Sequence, residues 1–275
     1  MYTLLATPKM KNWLFTELGQ YQVTNSNKYI VSSYSGTTES NDTFKINLYS
    51  SNIITINGSL KKRIYEKLFL NVGEVNLSGC DEVGVGDFFG PTVYVSVFFD
   101  EETVKKLSFL HLPIRDSKKL TDYEIFKIYN NVHSFLNFNS QIVYDAHLVK
   151  DLNSIAQKTY YHHQNVKDDD YTIIDLFTTE KSFYKYSEQL NLTWPPTTVL
   201  ETKADSIYMS VALASIIARA LFLLEMDKLN EKYNMTFPLG CSNVKNFAND
   251  FIELYSKEEL ATFCKTTFKT FDEVG

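Results

Sequence analysis

Apolar positions in this chain recur in two rhythms, one of period two and one near 3.6. The switches between them mark out the elements. Residues 2–6 form a short apolar strand. Thr7 and Pro8 follow as N-cap and first helical residue, Met10, Trp13, Leu14 and Leu18 recur at helical spacing, and Gly19 is a suitable stop. Residues 28–34, 43–49 and 53–57 read as strands separated by Ser, Thr, Asn and Gly turns. A second amphipathic helix follows Ser59, with Leu60, Ile64 and Leu68 on one face. The front of the chain is thus predicted as β-α-β-β-β-α, with 71–74 as a linker.

Beyond the linker, 75–80 reads as a strand running into Asp81, and 92–99 alternates as another. A polar loop is expected at 116–120, a helix over 122–136, a strand at 141–145 and a helix near 152–163. Then come a strand at 171–175, a helix at 180–189, a strand at 198–201, a long helix over 206–230 and a helical tail over 243–264. Strands alternating with helices predict an α/β layered domain.

Composition narrows the class. A 275-residue chain with 44% hydrophobic and 22% charged residues can build a sizeable core, which excludes a disordered protein. The 20 Phe and 18 Tyr first of all supply core packing, with a few exposed rings free to stack on bases or sugars. Cys80, Cys241 and Cys264 form no CxxC pair, so neither a zinc ribbon nor a disulfide framework is expected. The N-terminus lacks a signal-peptide pattern, and the uncharged stretches 46–60 and 206–218 are too short to span a bilayer. A soluble, cytoplasmic protein without a membrane partner is expected. The net charge of −6 divides unevenly: residues 1–75 carry +3 and the remainder −9. Phosphate binding depends on local charge, so the basic front could hold nucleic acid, although an asymmetry this small also arises by chance.

The candidate chemistry lies in acids at element ends. Residues 79–91 read GCDEVGVGDFFGP. Their glycines are spaced GxGxxxG and lead into Pro91 and a strand, which excludes a dinucleotide fingerprint. Glycines here let bare backbone approach a ligand. Asp81 and Glu82 end an apolar strand, where two acids are costly unless something positive compensates; solvated acids on an exposed turn are the alternative. Asp175 ends the apolar run 171–175 in the same manner. Asp205 precedes a helix whose first half is apolar on nearly all sides, hence buried, and could equally be a simple cap. Four such acids can converge at one sheet edge. With an effective dielectric near 20, each pair ~4 Å apart costs ~4 kcal/mol. Two divalent cations would cancel that charge and serve in-line phosphodiester cleavage. Oxygen ligands favour Mg²⁺ or Mn²⁺ over zinc.

These stretches resemble ribonuclease HIII. The 79–91 segment is similar to that family's Asp-Glu pair before a glycine-rich loop, and RDSKKL at 115–120 to its Asp-Ser-Lys-Lys-Leu loop. YTIIDLF at 171–177 resembles the strand supplying a third acid, and ETKADSIYMSVALASIIAR at 201–219 its Thr-Lys-Ala-Glu-Ser segment and buried helix. The resemblance implies a ribonuclease H-like α/β catalytic domain over 71–275, a mixed sheet flanked by helices. A small α+β TATA-binding-protein-like domain over 1–70 would precede it and grip the substrate. It implies an endoribonuclease that hydrolyses the RNA strand of RNA–DNA hybrids, leaving 5′-phosphate and 3′-hydroxyl ends. Asp81, Glu82, Asp175 and Asp205 would be both catalytic and metal-holding, with Asp81 shared by two ions. Gly84, Val85 and Gly86 would meet ribose 2′-hydroxyls, and Ser117, Lys118, Lys119, Lys203 and Ser206 would contact the nucleic acid. No organic cofactor is implied, and a monomer is expected.

Two departures matter. Asp205 stands where ribonuclease HIII usually has Glu, and Val85 stands where ribonuclease HII has the Arg of Gly-Arg-Gly. The second favours longer hybrids over single ribonucleotides embedded in DNA. Incision at such single ribonucleotides, and a non-catalytic hybrid-binding protein, are the rival readings. His162 and His163 point about 100° apart on a helix, which argues against a shared ion; a supporting role near the nucleic acid stays open. Residues 168–170, all Asp, read as a solvated loop, and Arg219 as the partner of an unspecified acid.

Overall fold

The computed structural model describes residues 1–70, 74–166 and 171–275. It begins with β1 (Tyr2–Leu5) and α1 (Pro8–Leu18), where the Thr7 hydroxyl caps the helix by accepting from Met10 N at 3.2 Å. Next come β2 (Gln22–Val23), β3 (Ile30–Thr37), β4 (Thr43–Tyr49), β5 (Ile53–Asn57) and α2 (Lys61–Leu70). The five strands form one antiparallel sheet in the order β1-β5-β4-β3-β2. Phe44, Ile46 and Leu48 alternate into the layer that Met10, Leu14 and Leu68 fill. Only β2 and the 3₁₀ turn before it go beyond the expected pattern. Two exposed residues are too short to show a period.

The second sheet contains β6 (Leu77–Val83) and β7 (Thr92–Phe99), followed by α3 (Glu101–Leu110), α4 (Asp122–Val132), β8 (Asn137–Val143) and α5 (Ser154–Asn165). Then come β9 (Tyr171–Asp175), α6 (Glu180–Gln189), β10 (Val199–Glu201) and α7 (Met209–Tyr233). The chain closes with α8 (Val244–Leu254), α9 (Lys257–Ala261) and α10 (Lys269–Asp272). The order is β10-β9-β6-β7-β8. The first three strands are parallel and the last two antiparallel, giving a mixed sheet flanked by helices.

Several placements depart from the sequence reading. Strand β6 runs on to Val83, so Asp81 and Glu82 lie within it, opposite Val95 and Tyr94. Helix α3 went unpredicted although its start is marked: Asp100 caps it by accepting from Thr103 N at 2.7 Å, and Glu101 and Glu102 suit its positive end. Strand β8 begins at Asn137, where polar Asn and Ser obscured the alternation. Helix α7 starts at Met209 and runs for 25 residues, while Ala204–Ser206 is a separate 3₁₀ turn, so Asp205 is not the helix cap.

Helix α7 is long and apolar enough to cross a membrane, yet 78% of its apolar window is buried inside the protein, as befits a core helix. Of the expected linker, 71–73 lie outside the described residues, as do 168–170; Glu74 is buried. Each sheet has its own helices, and the apolar core runs unbroken between them. Where they meet, Tyr2 stacks on His111 and Tyr65 meets the same ring edge-on, both at 4.5 Å.

Candidate active site

The site forms where β6, β9 and the start of α7 come together. Gly79 permits the approach. A Cβ there would lie 2.4 Å from the Ser210 carbonyl carbon and the Val211 nitrogen, so any side chain would push α7 off the strand. Two residues on, Asp81 is 8% exposed, and its Oδ1 accepts from Glu82 N at 2.8 Å. The parallel neighbour β9 ends at Asp175, whose Oδ1 accepts from Ala204 N at 2.9 Å. That bond ties the 3₁₀ turn to the strand and brings Asp205 alongside. One carboxylate oxygen from each of Asp81, Asp175 and Asp205 lies within 4.8 Å of the others.

The electrostatics follow from this crowding. Burial, then the charges of Glu82 and Asp175, push Asp81 well above the usual carboxylate range, against hydrogen bonds from Ser215 and the Glu82 backbone. Burial also raises Asp175, helped by Glu82 and opposed by Ala204 N–H and Lys118. Asp205 is pushed up to about 6 by burial, then by Asp175 and Asp116, against Lys118. Lys118 is pulled down by burial but ends raised, because Asp205, Asp81, Asp116 and Asp175 all face it. One ammonium does not neutralise three crowded acids. The donors are all hard carboxylate oxygens, so the group fits a divalent cation of the Mg²⁺ or Mn²⁺ type.

Glu82 stands apart from this trio. Its Oε1 meets Lys158 Nζ and its Oε2 meets His162 Nε2, each at 2.8 Å. Burial raises it, but His162 and Lys158 more than compensate, and it titrates at about 2. The imidazole is held flat against Phe177 at 5.4 Å and edge-on to Tyr94 at 5.2 Å. Lys158 Nζ sits 5.1 Å over the Phe177 ring. Lys158 is absent from the sequence candidates, and His162 stands there only with an open supporting role. Their signal was present, since positions i and i+4 of α5 share one face.

Asp81, Glu82, the 83–87 loop, Ser117, Lys118, Asp122, Ser215 and Arg219 line a cleft of ≈ 550 Å³. Gly84 needs its glycine: φ is +92°, and a Cβ would lie 2.3 Å from Pro91 O. Gly86 has open space where a Cβ would be, and Val85 sits between them on the cleft wall. Ser117 Oγ and Ser215 Oγ are 2.7 Å apart, which joins the 3₁₀ turn Ser117–Lys119 to α7. Lys119 instead pairs with Asp116 at 3.1 Å, and neither it nor the exposed Lys203 nor Ser206 lines the cleft. Ser206 Oγ donates to Lys203 O at 2.8 Å. Arg219 finds its acid in Asp122 at 3.4 Å. His163 turns away to Thr193 O at 2.9 Å.

The ribonuclease HII family profile matches residues 78–271. The chain is 33% identical over 211 residues to ribonuclease HIII of Ureaplasma parvum, an alignment covering 71% of this chain and 66% of that protein. Among solved structures, Bst-RNase HIII in complex with Mn²⁺ superposes with a TM-score of 0.68 at 22% identity, covering 99% of this chain and 97% of that one. Ribonuclease H2 from Pyrococcus horikoshii gives a TM-score of 0.59 at 23% identity, covering 72% of this chain and 95% of that one. The first of these folds spans both sheets. The second leaves unmatched a share about the size of the first sheet and its helices.

Proposed function

The chain belongs to the ribonuclease HII family, and on that premise we propose that it is a metal-dependent endoribonuclease cutting the RNA strand of RNA–DNA hybrids. The observation that carries this reading is the group of Asp81, Asp175 and Asp205, three crowded acids with too little positive charge around them. The Mn²⁺ complex of a protein with the same fold supports it. In this reading Asp81, Asp175 and Asp205 hold two divalent ions, with Glu82 as the fourth acid. Bound ions supply an activated water and charge stabilisation at the scissile phosphate, leaving 5′-phosphate and 3′-hydroxyl ends.

The chain's own groups prepare the site. Ser215 and the Glu82 backbone orient Asp81, Ala204 N–H orients Asp175, and Lys158 with His162 keeps Glu82 ionised. Lys118 reaches into the cleft as a phosphate ligand, with Ser117 beside it. Lys119, Lys203 and Ser206 serve at its margin. The backbone of Gly84, Val85 and Gly86 meets 2′-hydroxyls, the groups that separate RNA from DNA. Residues 1–70 act as a basic substrate-gripping unit and 71–275 as the catalytic domain, working in the cytoplasm as a monomer.

The test is cleavage of a labelled RNA–DNA hybrid with Mg²⁺ or Mn²⁺, run beside Asp81→Asn. Metal-dependent cutting that the variant loses is the expected result. Binding without cutting by the unaltered chain would make it a hybrid-binding protein. A second reading rests on Asp205, the shorter acid: efficient incision beside a lone ribonucleotide in duplex DNA would identify a repair activity.

A further inference from the structure

Helix α7 has no cap from its own neighbourhood. Tyr208 precedes it and provides no side-chain acceptor for the free N–H groups that every helix start presents. The acceptors come from 135 positions upstream. Glu74 Oε1 accepts from Met209 N at 2.7 Å, and Oε2 accepts from Ser210 N at 2.8 Å. Glu74 is 3% exposed and lies where the chain passes from the first sheet to the second. On the other side of the same turn, Asn52 donates through Nδ2 to Ser206 O at 3.3 Å. Asn52 belongs to the β4–β5 connection and is itself pinned: its O accepts from Ala6 N at 2.6 Å, and its Oδ1 accepts from Lys11 Nζ at 2.7 Å.

Between these anchors lies the segment 204–210, which carries Asp205 and the Ala204 N–H that holds Asp175. It has little slack. Ile207 N and Tyr208 N both donate to Ala204 O, and Ala212 N donates to Tyr208 O, so turn and helix move together. On the inner side the first turn of α7 rests directly on Gly79, two residues before Asp81. Farther along the helix, Ser215 reaches Asp81 and Ser117. A shift of the helix start therefore displaces Asp205 and Ser215 relative to Asp81.

We propose that Glu74 is a positioning residue for the acid cluster, with Asn52 as its counterpart. By capping α7 it sets the depth of the helix, and through it the separation of Asp205 from Asp81. The junction with the first sheet thereby governs how tightly divalent ions are held, beyond any grip on substrate. This rests on reading the cluster as a cation site. The experiment measures Mn²⁺ binding to the full chain from the electron paramagnetic resonance signal of free Mn²⁺, with thermal unfolding of the metal-free samples alongside. Glu74→Gln keeps the shape but turns an NH₂ toward helix donors; Mn²⁺ binding should weaken by about 10-fold or more, the usual cost of removing a ligand's support. Asn52→Ala should weaken it less, in the same direction. A lower unfolding temperature with unchanged Mn²⁺ affinity in Glu74→Gln would reduce the residue to a stabilising cap and overturn the proposal. Should Glu74→Gln fail to fold, unchanged affinity in Asn52→Ala overturns it equally. An unaltered chain that binds Mn²⁺ no better than Asp81→Asn would instead remove the cation-site reading, and the proposal with it.

Discussion

Asp81 and Glu82 are neighbours in the chain, yet they occupy opposite electrostatic worlds. Asp81 shares its surroundings with Asp175 and Asp205 and is held well above the ordinary carboxylate range. Glu82 has Lys158 and His162 as hydrogen-bond partners and titrates at about 2. Burial acts on both in the same direction, so the partners make the difference. An acid with its own lysine and imidazole partners is charged before anything binds. Three acids that share the single ammonium of Lys118 are left short of positive charge.

The contrast can be broken in stages. The largest effect is expected from Asp81→Asn. Hybrid cleavage should fall by more than the roughly 10–100-fold lost when a metal ligand's supporting partner is removed, while the metal-free protein should unfold at no lower temperature. Retained cleavage in a metal titration would show that the cluster is not the reacting centre. Next come the two partners behind Glu82. Lys158→Met or His162→Gln should each reduce cleavage about 10–100-fold and raise the Mn²⁺ concentration needed for half-maximal rate. Rates equal to the unaltered chain would mean that Glu82 needs no such support.

A third expectation concerns pH. The folded-state value for Asp205 is about 6, above its ordinary 3.8. The folded chain therefore binds more protons there than the unfolded chain between these values. That contribution to stability is present below about pH 4 and is lost as pH rises through about 6. Asp205→Asn should thus make the metal-free protein more stable than the unaltered chain at pH 7.5, by about 2 kcal/mol after allowing for solvent screening, and not at pH 4. Urea unfolding of both proteins at the two pH values measures this; a difference independent of pH would contradict the crowding argument. The smallest effect is expected at the cleft wall. Val85→Arg should leave hybrid cleavage within a few-fold while raising incision beside single ribonucleotides, measured on paired substrates. The added guanidinium gives the 84–86 loop a directional donor at little structural cost.

Much is legible in the sequence itself. Thr7, Pro8 and Gly19 delimited α1, and β4, β5, β7, β9 and α6 fall on the predicted ranges because caps and periodicity are local properties. The start of α3 is marked too, by Asp100-Glu101-Glu102. Asp81 and Asp175 are recognisable as acids ending apolar runs, and Asp205 as an acid just before an apolar helix. Strand neighbours about a hundred positions apart and a turn anchored by Ala204 N–H, 29 positions from Asp175, decide which of them meet. What the chain determined by itself is therefore its elements, its buried helix and the identity of its acids. What only the tertiary structure decided is the parting of Glu82 from Asp81 toward Lys158 and His162, the pairing of Lys119 with Asp116, and the capping of α7 by Glu74. Period and propensity act within one element, whereas charge and hydrogen-bond partners are chosen by proximity in space, which no local pattern encodes.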